Sequence, residues 1–252
     1  MPILGLGLHI IVAVFFAIHA MRTGRNMTWL FVLFAFPLLG SIVYFFAEYM
    51  GDMRNNPAAR KAYRAMEKAL DPERELRDAT REYEISPSVQ NRMRLAAAEL
   101  NKGNAAAARD HYRASLNGPM ADDPEVLRGL ARAEIETGDG ESALHTLAAL
   151  AKARPDFHPD DVALLEARAC ALSRAQPETL AAFEAAAQLA SGLEAKARFI
   201  AWLVSVGQLD AARRIQADID QSTKHWPAHA RDLNAPWFTL AQQALAQGEA
   251  AR

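Results

Sequence analysis

Hydrophobic and polar positions divide the chain sharply. Residues 2–21 and 28–47 contain no Asp, Glu, Lys or Arg, whereas the remainder mixes alanine-rich apolar faces with charge. A run of about 20 apolar residues, if helical, rises about 30 Å, the depth of a hydrocarbon layer. The pattern therefore predicts two membrane-crossing helices. Between them Gly24 supplies a helix stop, and Asn26 or Thr28 an N-cap. So short a turn makes the two helices antiparallel neighbours. Trp29, Tyr44 and Tyr49 fall near the ends of the second run, where amphipathic rings favour the membrane interface. A cleaved signal peptide fits less well, because no basic residue precedes the first run. Arg54, Arg60, Lys61 and Arg64 follow the second run, against Arg22 and Arg25 in the turn, which predicts a cytoplasmic C-terminal part. Within the runs, His9 and His19 are ionisable and Pro37 with Gly40 interrupts the second. A proton relay needs a polar path, for which two spans leave little room; a neutral His9 bonding across the hairpin and a His19 reaching headgroups is the simpler reading.

After position 50 the periodicity becomes helical. The spacing of Ala62, Met66, Ala69 and Leu70 predicts a helix over 57–70, and Asp71-Pro72-Glu73 the start of another. These two helices form a charged connector over 51–86. From there the chain repeats itself. Leu95, Leu130, Leu165 and Phe199 recur at intervals of 35, 35 and 34; Gly103, Gly138 and Gly207 at 35 and 69; Ala108, Ala143 and Ala212 likewise. Each glycine is placed to separate two short helices, and each following alanine to let the second pack closely on the first. Ser86-Pro87, Asp123-Pro124-Glu125 and Gln176-Pro177-Glu178 mark helix entries with a polar residue before proline.

In this arrangement the chain resembles the tetratricopeptide repeat family over about residues 87–248. Leu127, Leu130, Ala131, Glu134, Gly138, Ala143, Leu147 and Pro155 occupy the large, small, glycine and proline positions of that pattern. An earlier unit carries Leu95-Ala96, Gly103, Ala108 and Tyr112. A degenerate third has Ser173 or Arg174 in place of glycine and keeps Phe183. A fourth has Phe199, Gly207 and Ala212. Trp237, Leu240, Ala241 and Gly248 match the start of a further unit that would serve as a terminal cap. The resemblance implies an all-α right-handed solenoid over 87–252 with an inner groove that binds peptides. It would place Met93, Ala97 and Leu100, then Arg128, Arg132 and Ile135, then Arg168, in that groove. Met93 and Ala97 stand where the carboxylate-clamp version of these repeats has polar contacts, so a chaperone tail is not implied. The three arginines can face an acidic ligand segment or pair with Glu125, Glu136 and Glu166; both readings stay open.

The apolar segment around Trp29, Pro37, Gly40 and Tyr44 resembles the N-terminal two-helix membrane segment of phospholipase D-like enzymes and cardiolipin synthases. The chemistry does not follow, because those enzymes use a His-x-Lys motif and no His here has Lys two residues on. Nor does the chain carry a glycine-rich phosphate loop, a Gly-x-Ser-x-Gly elbow or a His-Glu-x-x-His pair. After position 50 basic and acidic residues number 26 and 29, a balance that disfavours a nucleic-acid surface. Cys170 is the single cysteine, which excludes an intrachain disulfide and a Cys-pair metal site. His225 and His229 flank Pro227, which works against their sharing a helix as metal ligands. The sequence thus predicts a non-catalytic scaffold without cofactor or metal, in a bacterial-type inner membrane, that binds partner proteins through cytoplasmic repeats. A second reading makes the hairpin a subunit of a membrane complex, in envelope lipid or haem metabolism for instance, with the repeats as a regulatory arm.

Overall fold

The computed structural model describes residues 3–51 and 71–251, except for the side chains of 3–9 and of Pro119. The described residues contain thirteen α-helices, and the chain divides into two compact units, Met1–Arg74 and Glu75–Arg252. The first connector helix, Arg54, Arg60, Lys61 and Arg64, and the side chain of His9 lie outside the described residues.

In the first unit α1 (Ile3–Arg22) is followed by α2 (Thr28–Ala35) and α3 (Pro37–Tyr44), both packed on α1. Gly24 takes the left-handed conformation at φ +64°, and Asn26 Oδ1 accepts from the Thr28 N–H at 3.1 Å and hydroxyl at 2.8 Å. Phe16, Ala17 and Ala20 meet Leu33 and Tyr44 in a small core. Across it the His19 Nδ1 and the Tyr44 hydroxyl are hydrogen-bonded at 3.0 Å, and Arg25 pairs with Glu48 at 2.9 Å.

Among the described residues no helix is long and apolar enough to cross a membrane. The first expected span is one continuous helix, α1, whereas the second is divided at the interruption that Pro37 marks in the sequence. Pro37 forces the preceding residue out of helical geometry, and Phe36 sits at φ −136°, ψ 74°. The run is therefore cut into α2 and α3, eight residues each, or about 12 Å apiece, followed by a π-helical turn over Phe45–Tyr49.

The second unit is a succession of helix pairs, each packed on the next in chain order. It opens with α4 (Arg74–Ile85), which lays Leu76, Ala79 and Tyr83 against Leu95 and Ala98 of the following helix. Then come α5 (Val89–Asn101) with α6 (Ala105–Ser115), α7 (Pro124–Glu136) with α8 (Gly140–Ala153), α9 (Pro159–Ser173) with α10 (Gln176–Leu189), and α11 (Glu194–Ser205) with α12 (Leu209–Thr223). The array closes with α13 (Ala228–Ala250), packed on α11 and α12.

Three of the four pairs turn through one repeated device. Gly103, Gly138 and Gly207 have φ of +87°, +82° and +78°, a region that only glycine enters without strain. The next residue in each case reaches back to close the helix end: Asn104 to the Glu99 carbonyl at 2.9 Å, Asp139 to Glu134 at 2.9 Å, and Gln208 to Leu203 at 2.8 Å. Ala108, Ala143 and Ala212, five residues after the glycines, are fully buried. The α9–α10 pair has no such glycine and turns through Arg174 and Ala175 in extended conformation. Phe183 holds this pair to the next, stacking on Phe199 with ring centroids 5.4 Å apart.

Two helix entries differ from their sequence signature. Ser88, not Ser86, caps α5 by accepting from the Asn91 N–H at 3.2 Å, and Gln176 is the first residue of α10 rather than its cap. Asp123 caps α7 as expected, accepting from the Glu125 and Val126 N–H groups at 3.0 Å. The last helix starts at Ala228, well before Trp237, and runs through Pro236. Gly248 is not a turn but a point of close packing, where a Cβ would lie 2.7 Å from a Val204 methyl.

Candidate functional site: an arginine-lined cavity in the helical array

Odd-numbered helices α5, α7 and α9 present one face each to a common cavity of about 620 Å³. Met93, Ala97 and Leu100 reach it from α5, where spacings of three and four residues align them along one stripe. Arg128 and Arg132 reach it from α7 and Arg168 from α9, so six of the seven residues grouped by the repeat pattern line a single space. Ile135 does not. It is buried one turn beyond Arg132 and lines a neighbouring cavity of about 290 Å³, to which Arg168 also contributes. Tyr112 from α6, Arg198 from α11 and Trp237 from α13 complete the larger cavity. The repeat pattern did not place them there; a phenol ending the second helix of a pair and an indole in the closing helix were the available signals.

Five arginines line the cavity: Arg94, Arg128, Arg132, Arg168 and Arg198. Four of them are engaged. Arg94 is bonded to Glu82. Arg128 donates to Glu125 at 2.7 Å and to Asp161 at 2.9 Å, so it bridges α7 and α9. Burial pulls the Arg128 pKa down, but its hydrogen bonds to Asp161 and Glu125 outweigh this and raise it. Arg168 donates to Glu136 at 2.7 Å. Arg198 donates to Glu194 at 2.8 Å and lies 5.3 Å from the centroid of the Trp237 ring. Arg132 has neither a carboxylate partner nor a hydrogen bond among the described residues. Of the two readings left open by the sequence, internal pairing describes Arg128 with Glu125 and Arg168 with Glu136. It does not describe Arg132, and Glu166 takes no arginine partner among the described residues; burial raises the pKa of its carboxyl.

Tyr112 reaches the cavity because α7 has a gap in its side-chain surface. The phenol ring lies over Gly129, where a Cβ would stand 2.4 Å from two ring carbons. Its side of the array is otherwise tight, and the residue is 7% exposed. Burial raises the Tyr112 pKa, against the lowering pull of Arg132 and then Arg128. The hydroxyl has no hydrogen-bond partner among the described residues.

Other candidate groups stay apart. His225 precedes α13 and His229 lies in its first turn, so they do not share a helical face. Among the described residues no three His, Cys, Asp or Glu side chains gather closely enough to hold a metal ion. Cys170 is half-buried, and burial raises its thiol pKa, which leaves it a poor nucleophile.

The site therefore combines an apolar stripe, four arginines tied to acids and one that is not, on a scaffold of stacked helix pairs. Compared with known proteins, the chain matches no family model, no curated protein and no solved structure.

Proposed function

We propose that the chain is a non-catalytic, membrane-anchored scaffold of tetratricopeptide type, whose repeats bind an extended segment of a partner protein in the arginine-lined cavity. The observation that carries this reading is the convergence of Met93, Ala97, Leu100, Arg128, Arg132 and Arg168, from three separate helices, on one space of about 620 Å³. Its mixed apolar and charged walls, drawn from successive helix pairs, offer separate contacts for alternate side chains of an extended segment. The recurrent glycine turns and buried alanines at intervals near 35 residues support the repeat assignment. The membrane assignment is supported by the outward apolar surface of the first unit. Ile11, Phe31, Phe34, Leu39 and Phe46 are each more than 60% exposed, a density of large apolar groups that water does not favour. In this reading the hairpin sits in the inner membrane, the second arm as two helical segments, and the repeats face the cytoplasm.

The test is photocrosslinking from the full chain in native membranes. A photoreactive residue at Ala97 should yield protein adducts that compete away when Arg132 and Met93 are replaced by Glu. The same residue at Phe31 should yield lipid adducts. Protein adducts from Phe31 alone, with none from Ala97, would instead make the hairpin the contact surface and the chain a subunit of a membrane complex.

A further inference from the structure

We infer that Arg132 and Tyr112 form a subsite for a single carboxylate, so that the bound segment carries one acidic group held by this pair beside apolar side chains seated on Met93, Ala97 and Leu100. This rests on the protein-binding reading above and specifies its ligand. Arg132 is the cavity's one guanidinium without an acceptor among the described residues, and it offers five N–H donors in a planar fork. Tyr112 is 7% exposed as a residue, and its hydroxyl, which has no partner among the described residues, opens into the cavity. With its ring held in the array and its O–H facing the cavity, the phenol is set to donate to a ligand atom there.

The backbone of α7 brings the two groups together. With no side chain at Gly129, the Tyr112 ring lies directly on the helix, and Arg132 follows three residues later on the same face. Among the charges acting on the phenol, that of Arg132 is the strongest. A carboxylate placed between them accepts from the guanidinium through one or both oxygens and from the phenol O–H through another lone pair.

The same geometry limits the ligand to one acid. Arg128, a turn before Arg132, is already neutralised by Glu125 and Asp161, and both carboxylates line the cavity. A second acidic group beside the first would meet those two charges rather than a free cation. Towards α5 the stripe of Met93, Ala97 and Leu100 takes an apolar side chain, and Arg94 on the same helix is already bonded to Glu82.

The experiment selects displayed random dodecapeptides on the full chain in detergent micelles, then measures binding of the synthetic winners by fluorescence anisotropy. The winners should carry one Asp, Glu or free C-terminus at a constant distance from Leu, Met or Phe. Replacing that acid by its amide, or amidating the terminus, should weaken binding about ten-fold or more and tells a side-chain carboxylate from a terminal one. Arg132→Gln should have an equal effect and Tyr112→Phe a loss of about three- to ten-fold, while Lys152→Gln, on an exposed face of α8 away from the cavity, stays within about two-fold. Circular dichroism of each variant reports retained folding. Winners that need several acids together with Arg128 and Arg168, or that need no acid, would overturn the subsite and leave the cavity as a peptide site. Winners indifferent to Ala97→Trp, or no winners at all, would overturn the peptide-binding reading and the subsite with it.

Discussion

Arg113 Nη2 donates to Glu134 Oε1 at 3.0 Å, joining α6 to α7, and the carboxylate it reaches is buried, with only 2% of its side chain exposed. The second oxygen, Oε2, accepts from the Thr146 hydroxyl of α8 at 2.8 Å. One buried acid thus ties three successive helices. Arg113→Leu removes the charged partner and leaves a desolvated carboxylate with a hydroxyl alone. The expected cost is about 1–3 kcal/mol, seen as a lower urea midpoint. Adding Glu134→Leu should recover part of that loss, because the unpaired charge goes with it. A double variant less stable than Arg113→Leu would show that the carboxylate is held by other contacts.

Ala143 and Ala106 differ in what a larger side chain would meet. Ala143 is fully buried in the α7–α8 joint, while Ala106 is exposed on the first turn of α6. Ala143→Leu should destabilise the chain by about 1–3 kcal/mol through overpacking. Ala106→Leu should be near neutral. Thermal melts of the two full-length variants compare them directly, and equal melting temperatures would contradict the packing described.

Gly129→Ala tests the contact that admits Tyr112 to the cavity. The new methyl would stand 2.4 Å from the ring, so the phenol must move or α7 must shift. A loss of about 1–3 kcal/mol is expected in the wild-type background. In a Tyr112→Leu background the same substitution should cost clearly less, which a double-mutant cycle reads as a coupling between the two positions.

Glu166 supplies a pH dependence of definite sign. Burial raises its carboxyl pKa in the folded state, so the native protein holds this proton more tightly than the unfolded chain. The stability it contributes is complete below the ordinary glutamate range, about pH 4.3, and is lost as pH rises through the elevated native value. Glu166→Gln should therefore melt higher than wild type at pH 7, with the gap closing towards pH 4. A gap as large at pH 4 as at pH 7 would remove desolvation as its cause.

Periodicity alone made much of the helical array legible. Gly103, Gly138 and Gly207 mark three turns that share one hydrogen-bond pattern, and Leu95, Leu130, Leu165 and Phe199 are buried to nearly the same depth, 4–5% exposed. The spacing of Met93, Ala97 and Leu100 grouped them on one helical face, which the fold turns to the cavity. These features are local: three or four residues of separation decide a face, and one positive φ decides a turn. The third pair was harder to read because its turn uses no glycine. Pro37 was visible as an interruption of the second apolar run. How far it divides that run depended on Phe36 leaving the helix and on how α2 and α3 each settle against α1.

Which arginine has a partner was beyond the sequence's reach. Arg128, Arg132 and Arg168 look alike along the chain, yet Asp161, 33 residues from Arg128, closes on it across a helix interface, Glu136 closes on Arg168, and no described residue closes on Arg132. Burial of Glu134 and the entry of Tyr112 over Gly129 belong to the same class. Sequence determined the helices, their repeat and the faces on which side chains stand, because those follow from short-range backbone geometry. Tertiary packing alone decided which charges are neutralised and which donor is left open, because a Coulomb or hydrogen-bond partner is chosen by distances of a few ångströms between helices that are far apart along the chain.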